Sequence, residues 1–421
     1  MSTTKSSIAP NASGWISKYF DLIDKGELWI HIRHFDEIDD LKHIHLKCMR
    51  SGIVFGLPTR AIFGHRLNTK NWTNEEKLKV LLFEALLFVH LKTGGKVDKE
   101  EFLARLTEFY GHHNAKSLAQ TLLFFKKEGS EEKIEKILSK RVDIKFNLLD
   151  NKWWVNSLNN AFAYLDVILF YNHCMHFDED ALLHYNQFAQ EALTAITLAT
   201  YADGEVSSVE RDLFNVFLAS ANLPDELRDQ AKERFEQGAT LNDFSDNIKH
   251  QWLLKRFLAD ISLLTMFSNY EIGQEEMVYA ERLRIFMDIP EDEMDETMMF
   301  IENFIIANRE KSEVLSDSAS LEKVYGSFTN RWKKILSRNK DKLALELSES
   351  KELVQLMKKS MSEELTPEEK EKVKEQLKDI LKSMPAFAVF MIPGGTFLLP
   401  MMMKIIPDLL PSAFKDNEIE E

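Results

Sequence analysis

EEKLKVLLFEALLFVHL, residues 75–91, is the stretch from which the fold is read most directly. Leu78, Leu81, Leu82, Ala85 and Leu86 recur at spacings of three and four, which predicts a helix turning a broad apolar face to a core. The neighbouring phenylalanines widen that face. Thr73, three residues before Glu76, has the pattern of a capping box at the helix start. Similar periodicity occupies 16–31, 101–110, 115–127, 155–171, 181–201 and 251–267, and no run of strands separated by turn signals appears. The chain has only 15 Gly and 10 Pro in 421 residues. Few chain-breakers leave little room for the turns of an all-β protein, so the expected fold class is all-α.

Charge and cysteine content narrow the function. A formal net charge of −15 argues against broad binding to a phosphate backbone and against DNA as a partner. Cys48 and Cys174 cannot build a disulfide framework and suit a reducing compartment. Residues 1–14 are polar, and the first arginine is Arg33, so neither a secretory signal nor a transit peptide is expected there. No phosphate-binding loop, dinucleotide glycine pattern, nucleophile elbow or H-E-x-x-H is present, which favours a non-enzymatic protein needing no cofactor.

Two stretches repeat. AITLATYADGEVSSVE at 195–210 aligns with ISLLTMFSNYEIGQEE at 261–276, and the same shift of 66 residues carries Leu223-Pro224 onto Ile289-Pro290. A weaker echo, LKTGGKVDKEE at 91–101, puts Val97 and Glu101 in the places of Val206 and Glu210. The spacing predicts two helical units in pseudo-symmetric pairing. The Y-A-D-G-E-V end of the first copy resembles the TerB-like (tellurite-resistance) helical domain. In that copy Asp203-Gly204 predicts a turn, with Ser207 and Glu210 as a capping box for the next helix.

Six of the ten prolines fall in the last 55 residues, among them MPAFAVFMIPGGTFLLPMMM at 384–403, which has no ionisable side chain. As a helix this would span about 30 Å, the thickness of a bilayer's hydrocarbon core. Pro393-Gly394-Gly395 interrupts it, predicting a broken span or a re-entrant hairpin rather than one straight helix. The preceding 365–383 predicts an amphipathic helix capped by Thr366, with Pro367 in its first turn and Glu369 closing the box. Pro385, Phe387, Phe390, Pro393, Leu398, Leu399, Pro400, Lys404, Pro407, Leu410, Pro411 and Phe414 together resemble the membrane segment of the LETM family. These are the leucine-zipper and EF-hand transmembrane proteins of mitochondria and their bacterial relatives, including those labelled biofilm-associated. The resemblance implies membrane lipid as a partner, and a role in ribosome binding or in membrane ion homeostasis. In the mitochondrial family a ribosome-binding helical domain follows the segment. Here only DNEIEE follows Lys415, so that domain is not expected after it.

The expected organisation is an N-terminal helical region (1–150), a duplicated TerB-like core (151–310), connecting helices (311–365), the LETM-like segment (366–414) and an acidic tail (415–421). A lysine excess before the segment places the helical body in the cytoplasm of a bacterium, at the inner membrane. Arg331, Lys333, Lys334, Arg338, Lys340 and Lys342 form a basic stretch suited to anionic lipid or RNA. Two weaker groupings carry metal-ligand chemistry. His173, His176, Asp180 and His184 would share one face if their segment were an unbroken helix. Asp203, Glu205 and Glu210 offer oxygens to a hard cation, although capping already employs Glu210. The alternative function is a soluble TerB-like metal-binding or stress-response module that uses the apolar C-terminus to form a homo-oligomer.

Overall fold

The computed structural model describes residues 7–30, 39–63, 67–111, 129–143, 160–175, 181–267, 273–307, 331, 333–382 and 406. Among the described residues there are helices and no strands, as the periodicity predicts. The chain divides into two compact units, Met1–Asp288 and Ile289–Glu421.

In the first unit α1 (Trp15–Asp24), α2 (Asp40–Ser51), α3 (Asn74–Lys92), α4 (Lys99–Gly111), α5 (Ser130–Val142) and α6 (Ala163–Cys174) precede a central pair. That pair is α7 (Tyr185–Thr200) and α10 (Trp252–Met266), which make the most extensive helix–helix packing described. Between them in sequence lie α8 (Ser208–Ser220) and α9 (Asp225–Gln237), both packed on α7; α11 (Gln274–Phe286) follows and packs on α10. From Leu78 to Leu91 every residue of α3 is buried, Lys79, Glu84 and His90 included, so burial extends past the predicted apolar face. The predicted 16–31 helix stops early: Gly26 adopts φ 68°, a left-handed turn that ends α1 at Asp24. The predicted 115–127 helix lies outside the described residues.

The predicted caps form. Thr73 N donates to Glu76 Oε2 (2.8 Å) and Glu76 N to Thr73 Oγ1 (3.1 Å). Ser207 and Glu210 exchange the same two bonds at 2.9 and 3.2 Å. At the repeat's second copy Gly273 has no side chain, so only half the box survives, with Gly273 N donating to Glu276 Oε2 at 2.5 Å. The 66-residue shift also carries both ends of α8 onto those of α11, and left-handed Asn222 onto left-handed Asp288, each at φ 49°. Ser262 Oγ donates to Ala195 O at 3.3 Å, so α7 and α10 touch at nearly equivalent positions. These coincidences do not make the unit TerB-like, and the second copy's turn, 268–272, lies outside the described residues.

Buried carboxylates tie distant segments together. Asp166 on α6 accepts from Arg141 Nε (2.7 Å) and Nη2 (2.5 Å) and from Tyr110 Oη (2.9 Å). Desolvation opposes the Arg141 charge, but the Asp166 carboxylate outweighs it and holds the guanidinium above its ordinary pKa. Glu84 on α3 accepts from Tyr19 Oη (2.8 Å) and from the amides of Ile62 (2.6 Å) and Phe63 (3.0 Å). Glu135 on α5 receives the amides of Gly14 and Ile16. His45 Nε2 lies 2.7 Å from Asp260 Oδ2, linking α2 to α10.

Removing one partner of a buried pair strands the other's charge. Asp166→Asn should therefore cost about 3–5 kcal/mol in urea denaturation, and replacing the pair together (Arg141→Met with Asp166→Leu) should recover part of that loss. No loss in the single variant would contradict the role given to this pair. A second expectation concerns His43, whose ring meets Phe88 edge-on. Burial, followed by Lys92, Lys47 and Arg50, pushes its pKa down to about 4. An unfolded imidazole takes its proton near pH 6.5, so between roughly pH 6.5 and 4 only the unfolded state is protonated there. Stability should fall as pH drops through that window, and His43→Gln should flatten the slope of thermal midpoint against pH.

Candidate functional site

The second unit opens with α12 (Glu291–Ala307) and continues through α13 (Lys340–Glu349), α14 (Lys351–Ser362) and α15 (Pro367–Lys382). The last three pack on one another. Each contributes apolar residues at helical spacing: Leu343 and Leu347 from α13, Leu353 and Met357 from α14, Val373, Leu377 and Ile380 from α15, all buried. The predicted start of α15 is present. Thr366 N donates to Glu369 Oε2 (2.9 Å) and Glu369 N to Thr366 Oγ1 (3.2 Å), with Pro367 in the first helical position.

With one stripe of α15 committed to the core, Lys370 and Lys372 lie exposed and Lys374 half-exposed. Lys370 pairs with Glu364 at 2.8 Å, Lys374 with Glu371 at 2.9 Å, and Lys372 with Glu352 of α14. Lys359 of α14 reaches Glu369 at 2.8 Å. Hydrogen bonds from Lys372, Lys370 and Lys359 hold Glu352, Glu364 and Glu369 below the usual carboxylate pKa. Exposed pairs of this kind contribute little to stability and are screened by salt. A phosphate or a partner's carboxylate can therefore displace the intramolecular acid cheaply, and the lysines remain available cations.

The basic stretch at 331–342 behaves differently. Arg331 donates to Glu302 (3.3 Å) and to Met298 Sδ (2.8 Å). Lys334 pairs with Glu291 (2.6 Å) and Asp295 (2.8 Å), and Arg338 with Asp295 (2.7 Å) and Glu291 (3.2 Å). Desolvation works against the Lys334 charge, but hydrogen bonds to Asp295 and Glu291 prevail and raise its pKa. Three of the six cations thus neutralise the acidic side of α12, while Lys333 and Lys340 are exposed and Lys342 is half-buried. The amphipathic spacing of 331–342 could not reveal this, because the acids lie some forty residues upstream.

Neither metal-ligand grouping is brought together among the described residues. α6 ends at Cys174 and His184 closes a separate 3-10 turn, Ala181–His184, so the histidines do not lie on one unbroken helix. The His173 ring packs on Phe109 and Phe170; His176 and Asp180 lie outside the described residues. Asp203 Oδ1 accepts from Glu205 N at 3.0 Å in the turn at Gly204, and Glu205 is exposed. Glu210 is spent on its cap, and burial raises its pKa. Among the described residues no group of three or more His, Cys, Asp or Glu is placed to hold a metal. His184 instead borders a cavity of about 230 Å³ with Asn172, Gln187, Glu191, Ser245 and His250. There Glu191 accepts from Ser245 N at 3.2 Å.

No described helix is long and apolar enough to cross a membrane. The proline-spaced positions from Pro385 to Phe414 lie outside the described residues. If the basic stretch is structural, Asp295→Asn should destabilise the second unit by about 1–3 kcal/mol, because Arg331, Lys334 and Arg338 lose a shared acid. Unchanged urea denaturation would mean that Asp295 is not what fixes those cations to α12.

Residues 365–421 match the family model described as LETM1-like, RBD. The match begins at the cap of α15 and covers the stretch read as a membrane segment. In the resemblance a ribosome-binding domain follows the membrane segment; the matching model of that description instead lies on this stretch itself. No curated protein and no solved structure matches the chain. Its C-terminal part is LETM-like.

Proposed function

We propose that this protein is a non-enzymatic adaptor that docks on a ribosome through its C-terminal unit and is tethered to a membrane by the apolar stretch 384–403. The observation that carries the reading is the match of 365–421 to the LETM1-like RBD model, on a helix whose outward lysines are held only by exposed, exchangeable acids. Ribosomal RNA presents closely spaced phosphates, and each Lys–phosphate contact releases a counterion, so such docking is salt-sensitive. The net charge of −15 confines this attraction to a local patch and disfavours non-specific nucleic-acid binding. The tether rests on twenty residues without an ionisable group. The lysines ahead of them orient the helical body toward the cytoplasm of a bacterial cell. A role in moving ions finds less support, because the stretch supplies almost no polar groups for a transport site.

Full-length protein should co-sediment with ribosomes at low salt and lose binding as salt rises. Lys370→Glu with Lys372→Glu and Lys374→Glu should weaken it at least tenfold, and a 1–364 chain should not bind. Equal co-sedimentation of the full-length and 1–364 chains would overturn the ribosomal reading. Truncation after Ser383 should separately release the protein from the membrane fraction.

A further inference from the structure

The 66-residue shift relates α8 to α11, yet their outward faces differ. α8 carries Arg211, Asp212 and Ala219; α11 carries Met277, Val278 and Ile285 at the shifted positions, 37%, 46% and 62% exposed. On α8 the outward residue Arg211 reaches Glu236 of α9 at 2.5 Å and lies over the Phe235 ring, so that face belongs to a packed layer of helices. Within its unit α11 has α10 as its main packing partner, and its apolar residues meet solvent.

Val278 and Ile285, seven residues apart, fall on one helical stripe. Along one flank of that stripe stand Glu275 and Arg282, also seven apart, both exposed. Neither forms an ion pair among the described residues. A free acid, an apolar centre and a free base in line on one helix make a self-complementary surface.

We propose that α11 is a homodimer surface, pairing antiparallel with the α11 of a second copy about a twofold axis at Val278. In that arrangement Val278 meets its own counterpart, and Glu275 of each copy stands opposite Arg282 of the other, closing the contact at both ends. A second copy fits because both charges and the central Val278 contact are satisfied at once. The apolar area is small, so the association is concentration-dependent.

A residue on the axis is the one position where identical side chains come within disulfide reach, Cβ atoms about 4 Å apart. Full-length Val278→Cys under mild oxidation should give a cross-linked dimer on non-reducing electrophoresis, the native cysteines being buried. Asp212→Cys, the position 66 residues earlier, should stay monomeric. Adding Arg282→Glu to Val278→Cys should lower the yield several-fold by setting like charges opposite, and Glu275→Arg in the same chain should restore it. Absence of the cross-link, equal cross-linking at 212, or indifference to charge reversal would overturn the proposal.

Discussion

A buried carboxylate is costly in a helical interior unless donors converge on it, and that constraint organises the larger unit. α-Helices satisfy their own backbone groups and leave little to fix one helix against another except packing. Asp166, Glu84, Glu135 and Asp260 supply the missing register. Each sits on a core helix and gathers donors from segments roughly 20 to 215 residues away in the chain. Glu84 fastens the loop at Ile62 and Phe63 along with α1; Glu135 fixes the start of α1; Asp260 secures α2 to the central pair. Without these ties the apolar faces would tolerate several arrangements of similar burial.

The second unit applies charge at its surface rather than its centre. Its three packed helices bury a narrow aliphatic stripe, and their outer faces are laced by Lys–Glu pairs. Pairs between exposed side chains do little for stability, yet they keep cations in place at a surface that a phosphate-rich partner can approach. The basic stretch at 331–338, by contrast, holds α12 in place, with Asp295 largely buried beneath Lys334 and Arg338. Two lysine-bearing stretches therefore serve different ends, and what separates them is the burial of the acids they meet.

Local chemistry was legible in the sequence and remote chemistry was not. Thr73–Glu76, Ser207–Glu210 and Thr366–Glu369 each close within four residues, and all three are where their spacing predicts. The extent of α3 and α10 followed from periodicity. The early end of α1 was missed because Lys25-Gly26 breaks the helix without breaking its apolar rhythm. That Lys79 on α3 is buried, donating to Pro10 O at 3.1 Å and Asn11 Oδ1 at 2.6 Å, had no local signal. Nor did the pairing of Arg331, Lys334 and Arg338 with α12, which depends on the path of the chain. The histidine grouping failed for the opposite reason: its spacing was suggestive, but the helix it required ends at Cys174.

The central claim is that the C-terminal unit, and not the larger one, meets the ribosome. Hydrogen exchange on the full-length protein, with and without ribosomes, tests this most directly. The account predicts that peptides spanning α14 and α15 gain protection while α3, α7 and α10 are unchanged. Protection confined to the first unit, with α15 exchanging as in the free protein, would contradict it.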